Sequence, residues 1–415
     1  MTTTTTTHPL ALDTAWRQRA RAVIPNGMYG HQSASSLPEG FPQFMERGDG
    51  CRVWDVDGNE YIDFMCSYGP VILGHRHPAV EAAAGAQAAL ADCQNGPSHL
   101  AVELAEKMVA VVRHADWAIF QKNGTDATTT CVTVARATTG RRKVLVAAGA
   151  YHGAAPWCTP NPTGVVAEDR AHLAHYVFND IASVDAAVAA VGDDLAAIVV
   201  SPFRHDARID QELVDAAFAR HLRRVCDDTG AALILDDVRC GFRLAYGGSW
   251  EPIGVDPDLS AWSKAIANGH ALAATLGNDR FRVGAEKIFV TGSFWFSAVS
   301  MAASLATIDA LADDGVGRME RAGRRLRDGL ATQAASYGVR INQTGPVQMP
   351  LLTFDDDRDF AKANVFTAEA ARRGVYLHPW HNWFLSVAHA DADIDQALLA
   401  TDDAFAAVRT HVGFA

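Results

Sequence analysis

The chain has 415 residues, 49% of them apolar, and a formal net charge of -12. That length can bury a large core, either as two or three domains or as one large domain with a smaller partner. The acids are interspersed rather than gathered into a tail, which argues against nucleic acid or an anionic membrane surface as the main partner and leaves small molecules.

The opening MTTTTTTHPL lacks the basic and apolar segments of a signal peptide and reads as a disordered leader. A short helix is expected over residues 11–23. The run CRVWDVDGNEYIDFM then places two alternating apolar segments around Asp57-Gly58-Asn59, a β-hairpin signal. From there to about residue 280, short β-rich runs (WAIFQK, KVLVAA, LAAIVVS, AALILDD, LSAW, ALAATLG) alternate with helical stretches such as ATTTCVTVARATTG and QELVDAAFARHLRRVCDDTG. Apolar strands separated by helices indicate a mostly parallel sheet between helical layers, an α/β domain. Beyond residue 300 an alanine-rich helix (SMAASLATIDALADD), strand-like pieces near Leu351 and Val375 and a final amphipathic helix over 393–412 read as a smaller α+β domain. The expected division is residues 1–60 contributing to the smaller domain, 61–300 the large domain, and 301–415 the rest of the smaller one.

No apolar run approaches the ~20 residues that span a bilayer. The seven cysteines are odd in number and show no C-x-x-C spacing, so neither a disulfide framework nor a zinc site is indicated, and a reducing cytoplasm fits.

Open α/β sheets bind ligands beyond the carboxyl ends of their strands, so residues just past each β run carry the most information. After WAIFQ come Gly124 and Thr125 at a helix start, suited to hold a phosphate, although such a pair is more often a simple cap. Asp236 and Asp237 follow AALIL, where one carboxylate alone is as often merely solvated. Lys264 follows LSAW inside an apolar stretch, where its ammonium is costly unless paired, neutralised or extended to water. A phosphate cradle, a buried acid and a desolvated lysine at strand ends of one sheet are together what pyridoxal phosphate requires. A lysine whose charged form is disfavoured can hold an aldehyde as a Schiff base, and an acid can keep the pyridine nitrogen protonated.

The segments DVDGNEYIDFMCSYGPVILGHRHP, NGTDATTTCVTVARATTGR, AYHG, LILDDVRCGFR, GVDPDLSAWSKAIANG and FLSVAHADADIDQAL resemble class III, fold-type I pyridoxal-phosphate aminotransferases, on the branch that includes glutamate-1-semialdehyde aminomutase. The resemblance runs from about residue 21 to 412. It implies Lys264 as the Schiff-base residue, Asp236 as partner of the pyridine nitrogen, Gly124 and Thr125 as phosphate donors, Tyr151 and Val238 on the two ring faces, and Ser293 reaching the phosphate of a neighbouring subunit. A homodimer with shared active sites follows. Asp237 stands where the family commonly has Glu, Ser201-Pro202 replaces its Glu-Pro, and Ser293 keeps the hydroxyl of a Thr. The segment after Gly153 is short and lacks the aminomutase's glycine-rich gate, which disfavours the mutase reading.

A transaminase binds an amine and a 2-oxo acid such as pyruvate. Arg204, just past LAAIVVS, is a candidate for the acceptor's carboxylate, a surface ion pair being the equal alternative. Phe294, Trp295 and Phe296 with Tyr68 and Trp380 would line a large apolar pocket for a bulky or long-chain donor, though aromatic clusters are more often core. His378 and His381 suit pocket polarity better than a metal, since no carboxylate or cysteine accompanies them at ligand spacing. The leading expectation is therefore an amine:2-oxo acid aminotransferase. The alternative is an aminomutase or epimerase on the same cofactor, which would need no acceptor.

Overall fold

The computed structural model describes residues 9–411, so the leader expected over the threonine tract lies outside the described residues. Two compact units emerge, one of Met1–His77, Ala207–Asp210 and Gly317–Ala415, the other of Pro78–Asp206 and Gln211–Val316.

The smaller unit begins with α1 (Ala11–Val23) and three antiparallel strands, β1 (Met45–Asp49), β2 (Arg52–Asp55) and β3 (Glu60–Asp63). The turn between β2 and β3 is the one the sequence signals. Gly58 takes φ +87°, and the buried Asp55 carboxylate accepts from the Asp57 and Asn59 amides at 3.0 and 2.8 Å and from the Tyr61 hydroxyl at 2.9 Å. The Asp57 carboxylate accepts from the Leu12 and Asp13 amides, at 2.7 and 2.9 Å, and so caps α1.

The larger unit follows with α2 (Pro78–Ala88), α3 (Leu100–Val111), β4 (Trp117–Gln121), α4 (Gly124–Thr139), β5 (Lys143–Ala147), β6 (Leu173–Tyr176), α5 (Ile181–Val191), β7 (Leu195–Val200), β8 (Phe203–Arg204), β9 (Glu212–Leu213), α6 (Ala216–Thr229), β10 (Ala232–Asp236), β11 (Leu259–Trp262), β12 (Ala273–Gly277), α7 (Asp279–Lys287) and α8 (Ala298–Leu311). Seven strands form one sheet in the order β4-β12-β11-β10-β7-β5-β6, and only β12 runs against the rest. Each residue of β7, β10, β11 and β12 is buried, because helices cover both faces. Alternation sorts the side chains. Leu233 and Leu235 pack with Phe218 and Leu222 of α6, while Ala232 and Ile234 pack with Ala127, Cys131 and Val134 of α4.

The smaller unit resumes with α9 (Gly315–Tyr337), β13 (Ile341–Thr344), β14 (Leu351–Phe354), α10 (Ala361–Arg372), β15 (Val375–Tyr376) and α11 (Asp391–His411). β13 pairs antiparallel with β14, and β15 adds to β3 in parallel. Phe354, Phe366 and Phe405 pack their rings into its core at centroid separations of 4.8–6.2 Å.

β6 and α9 are among the elements not named from the sequence. In α9 the signal was present, since Met319, Ala322, Leu326, Leu330 and Ala334 are buried at helical spacing. Residues 61–77 and 301–316 group otherwise than bounds at 60 and 300 would have them, because β3 pairs with β15 and α8 packs on α2 and α3. Among the described residues no helix is long and apolar enough to cross a membrane, and all seven cysteines are free thiols.

Candidate active site

The row of even-numbered residues on β10 that packs against α4 ends in Asp236, so strand alternation alone delivers this carboxylate to the α4 side of the sheet edge. There its Oδ2 meets His152 Nδ1 at 2.7 Å, and its Oδ1 accepts from the Val238 amide at 3.2 Å. His152 is 3% exposed and its ring stacks on Trp157, leaving Nε2 buried with no hydrogen-bond partner. Asp237, one residue on, is turned the other way. Its carboxylate accepts from the Ser249 amide at 3.0 Å and from the Ser249 hydroxyl, and burial pushes its pKa up to about 7. Two adjacent acids thus have unlike surroundings, and only Asp236 faces the imidazole.

The first turn of α4 anchors the segment that carries His152. Asn123 caps the helix by accepting from the Asp126 amide at 3.1 Å. The Thr125 hydroxyl oxygen accepts from the Ala154 amide at 3.1 Å and retains its own proton to donate, while Thr128 Oγ1 donates to the His152 carbonyl at 2.7 Å. Two glycines permit this approach. A Cβ on Gly124 would lie 2.6 Å from Val238 Cγ1, and one on Gly153, at φ +127°, would lie 2.6 Å from Thr125 Oγ1. Tyr151 is 39% exposed, with its phenol pKa raised mainly by burial.

Parallel pairing sets Asp236 level with Ala261, so Lys264 stands three residues past that level on the neighbouring strand. Its backbone takes φ +49°, uncommon for a residue with a Cβ. The surrounding protein strips water from the amine and lowers its pKa from 10.5 to about 8; the Arg239 charge pushes the same way and Asp236 opposes. From Pro257 to Asn268 only Lys264 is more than marginally accessible.

Among the other expected residues of this unit, Arg204 sits on β8 with Nε 2.9 Å from Asp206 and Nη1 3.9 Å from Glu212. Ser293 and Phe294 are exposed, Trp295 is half-buried, and Lys122 Nζ lies 5.6 Å from the Phe294 ring centre. In the smaller unit Tyr68, His378 and Trp380 come together with His381: the Tyr68 ring centre is 6.2 Å from His378 and 5.3 Å from His381, and His378 is 4.3 Å from Trp380. Burial lowers the His378 pKa to about 3, so it is a neutral polar group. The cluster carries more imidazole than the apolar pocket expected around Tyr68 and Trp380. His31 also places its ring edge against Tyr68 at 4.8 Å. Sequence reading had not assigned roles to His152, Thr128 or Arg239. His152 could have been found from the AYHG segment, which follows a strand as Asp236 does.

A sequence profile of the family Aminotransferase class-III matches residues 37–403, almost the whole described chain. The chain belongs to the class-III aminotransferases. Aminopentol aminotransferase of Sphingopyxis macrogoltabida is 50% identical over 393 residues, covering 94% of this chain and 93% of that protein. The solved FumI protein of Sphingopyxis sp. MTA144, in its PLP internal aldimine form, superposes with a TM-score of 0.95 at 49% identity over 96% of this chain and 97% of that one. Glutamate-1-semialdehyde 2,1-aminomutase of Syntrophobacter fumaroxidans is 33% identical, covering 94% of this chain and 96% of its own length. The aminotransferase is a fold-type I enzyme of the pyridoxal-phosphate-dependent class, and its residues fit that group. The glycine at 124 keeps clear a space a side chain would fill, α4 opens with a hydroxyl able to donate, Asp236 is held on an imidazole, and Lys264 is an amine of lowered basicity.

Proposed function

We propose that this aminotransferase moves an amino group from a bulky or long-chain primary amine, amino alcohols included, to a 2-oxo acid such as pyruvate. The observation that carries the reading is Lys264, the one accessible residue in a buried stretch, with an amine made partly neutral near pH 8 by its surroundings. Pyridoxal phosphate, when bound, supplies a sink for the electrons left behind when a Cα–H bond breaks.

The chain's own residues do the rest. Lys264 Nζ would hold the cofactor and serve as the base that takes and returns the Cα proton. Asp236, backed by His152, would keep the pyridine nitrogen protonated. The α4 amides with Gly124 and the Thr125 hydroxyl would receive the phosphate, where the helix dipole favours negative charge. Tyr151 and Val238 would bound the ring faces. Tyr68, His378 and Trp380 of the smaller unit, and Phe294 and Trp295 of the larger, are assigned to the donor.

The donor class rests on two supports. The segments GMYGH, ADWAIFQKNGTDAT, SPFRHD, VTGSFWFSAV and YLHPWHNWFLS resemble the aminotransferase that deaminates hydrolysed fumonisin. The relative at 50% identity is named for an aminopentol, an amine with five hydroxyls. A homodimer is proposed from the stretch around Ser293, where Phe289, Phe294 and Phe296 are 91, 60 and 48% exposed, more apolar surface than a monomer usually leaves in one place. Ser293 would then reach the partner's phosphate. Seven free thiols support a cytoplasmic setting.

The test is a donor screen of the cofactor-loaded enzyme with pyruvate, following alanine. Long-chain amino alcohols should yield alanine faster than small polar amino acids do. Alanine from no amine at all would end the reading, and product formed without any 2-oxo acid would make the enzyme an isomerase.

A further inference from the structure

Two buried histidines stand at the same edge of the large sheet, and the chain satisfies them differently. His152 has its Nδ1 on Asp236 at 2.7 Å. His205 directly follows β8, is 7% exposed and sets its ring edge against Phe203 at 5.3 Å between centres. Its Nδ1 is buried with no hydrogen-bond partner among the described residues. Ser201 Oγ, directly past β7, is buried without a partner as well. A polar atom withdrawn from water and left unpaired is costly, and folded chains keep few of them unless something else completes the bond. The segment past β7 therefore lacks a polar group that the chain itself does not supply.

The surroundings place His205 beside the chemistry. Its carbonyl accepts from Nη1 of Arg239, three residues past Asp236, at 3.4 Å, and among the charges that act on its imidazole are those of Arg239, His152 and Lys264. Burial above all, and then the Arg239 charge, hold the ring neutral, so it offers one N–H donor and one acceptor.

Strand order says which part of a bound cofactor comes to it. α4 opens after β4, Lys264 follows β11, Asp236 ends β10 and His205 follows β7 by way of β8, and the sheet runs β4-β12-β11-β10-β7. Pyridoxal phosphate carries its phosphate arm and its 3-hydroxyl on opposite sides of the line from ring nitrogen to aldehyde carbon. With the nitrogen at Asp236, the aldehyde carbon at Lys264 and the phosphate toward α4, the 3-hydroxyl turns toward the β7 side, where the unpaired atoms are.

We propose that His205 hydrogen-bonds the 3-oxygen of pyridoxal phosphate through Nδ1. The inference rests on the roles assigned to Asp236 and Lys264 above. A neutral imidazole suits this oxygen in either state, accepting from the hydroxyl or donating to its anion. The contact fixes the rotation of the ring in its own plane and so the distance from its aldehyde carbon to Lys264 Nζ.

The test compares pyridoxal phosphate with its 3-deoxy analogue by equilibrium dialysis against cofactor-free protein, each affinity taken relative to that of the same aldehyde for a free amine. Wild type should prefer the 3-hydroxylated cofactor by about tenfold, the loss expected when one partner of a buried hydrogen bond is removed. In His205→Phe the preference should vanish, the analogue binding as it does to wild type. His205→Asn, whose side-chain amide takes the place of Nδ1, should keep part of it. Absence of the preference in wild type, which needs no variant to fold, would overturn the assignment. So would a preference retained by His205→Phe, an equal loss for both ligands in that variant, or a preference abolished by Ser201→Ala and not by His205→Phe. Borohydride reduction of the wild-type complex, read by peptide mass, separates this from the reading beneath it. A cofactor fixed to another lysine refutes the role of Lys264 and the contact with it, whereas one fixed to Lys264 without any 3-oxygen preference refutes the contact alone.

Discussion

The edge of the large sheet and the ring cluster of the smaller unit are built by different means. At the sheet edge, regular strands determine where each side chain goes. Parallel register fixes Asp236 level with Ala261, alternation turns Asp236 and Asp237 to opposite sides, and a capped helix pins the His152 segment. In the smaller unit Tyr68 lies in a run of four residues with left-handed backbone, Cys66, Ser67, Tyr68 and Gly69 at φ 46, 56, 61 and 110°, and its ring meets imidazoles from a segment without regular structure. Placement of Asp236 follows from topology, whereas Tyr68, like Lys264 at φ +49°, is held in left-handed backbone that packing must sustain. On the proposed reading, the chemistry assigned to Asp236 rests on the first kind of support, that assigned to Lys264 on both, and the discrimination between donors assigned to Tyr68 on the second.

The sharpest way to break that contrast is at Lys264. Lys264→Ala should lower kcat by about 10²- to 10⁴-fold, as loss of a positioned proton-transfer group does, while far-UV circular dichroism and the oligomeric state stay as in wild type. A variant retaining a tenth of the activity would mean that the sheet edge does not hold the essential base. A related effect is readable without turnover. In protein freed of cofactor the amine titrates at about 8 instead of 10.5, so its reaction with an amine-directed reagent, followed by peptide mapping, should rise with a midpoint near pH 8. The sign for stability follows. Between about pH 8 and 10.5 the unfolded chain binds the proton that the folded chain has lost, so this lysine's penalty is full below pH 8 and is relieved as pH rises through the window. A midpoint near 10.5 would show that the amine is not desolvated.

The same contrast explains what could be read before any coordinates. That Gly124, Thr125, Asp236 and Lys264 stand at or just past strand ends was legible because β runs of buried residues announce the sheet. The hairpin at Asp57-Gly58-Asn59 was legible because its turn chemistry is local. The bond from His152 to Asp236 joins residues 84 apart, and nothing in either segment specifies the other. Arg204 was legible as a cation just past a strand, but its neighbours Asp206 and Glu212 as ion-pair partners were not. The left-handed run was hidden for another reason: Cys, Ser and Tyr do not announce positive φ as glycine does.

A smaller effect is expected at Gly124. A methyl there would stand 2.6 Å from Val238 Cγ1, so one of the two must shift, at a cost of about 1–3 kcal/mol. Gly124→Ala should weaken pyridoxal phosphate in equilibrium dialysis by about tenfold or more while secondary structure stays intact. Wild-type affinity would show that the first turn of α4 gives way easily, and the edge of the large sheet would then be less rigid than its hydrogen bonds suggest.

The smallest effect sharpens the comparison from the other side. Ser67 has φ 56° and ψ 36°, and it is exposed, so replacing it with glycine removes strain without removing a packed side chain. Residues with a Cβ held in this region cost about 1–3 kcal/mol each. Glycine also gains freedom in the unfolded chain, which offsets part of that relief, so Ser67→Gly should raise stability in urea by only about 1 kcal/mol. Donor selectivity should respond more than stability does. A looser turn lets the Tyr68 ring leave its contacts with His378 and His381, and the ratio of kcat/KM between a long-chain and a short-chain amine should fall. If stability rises and the ratio holds, the strain at 66–68 is merely tolerated. If both hold, the surrounding packing fixes the left-handed turn so firmly that the residue type at 67 is immaterial, and Tyr68 is as rigidly placed as Asp236.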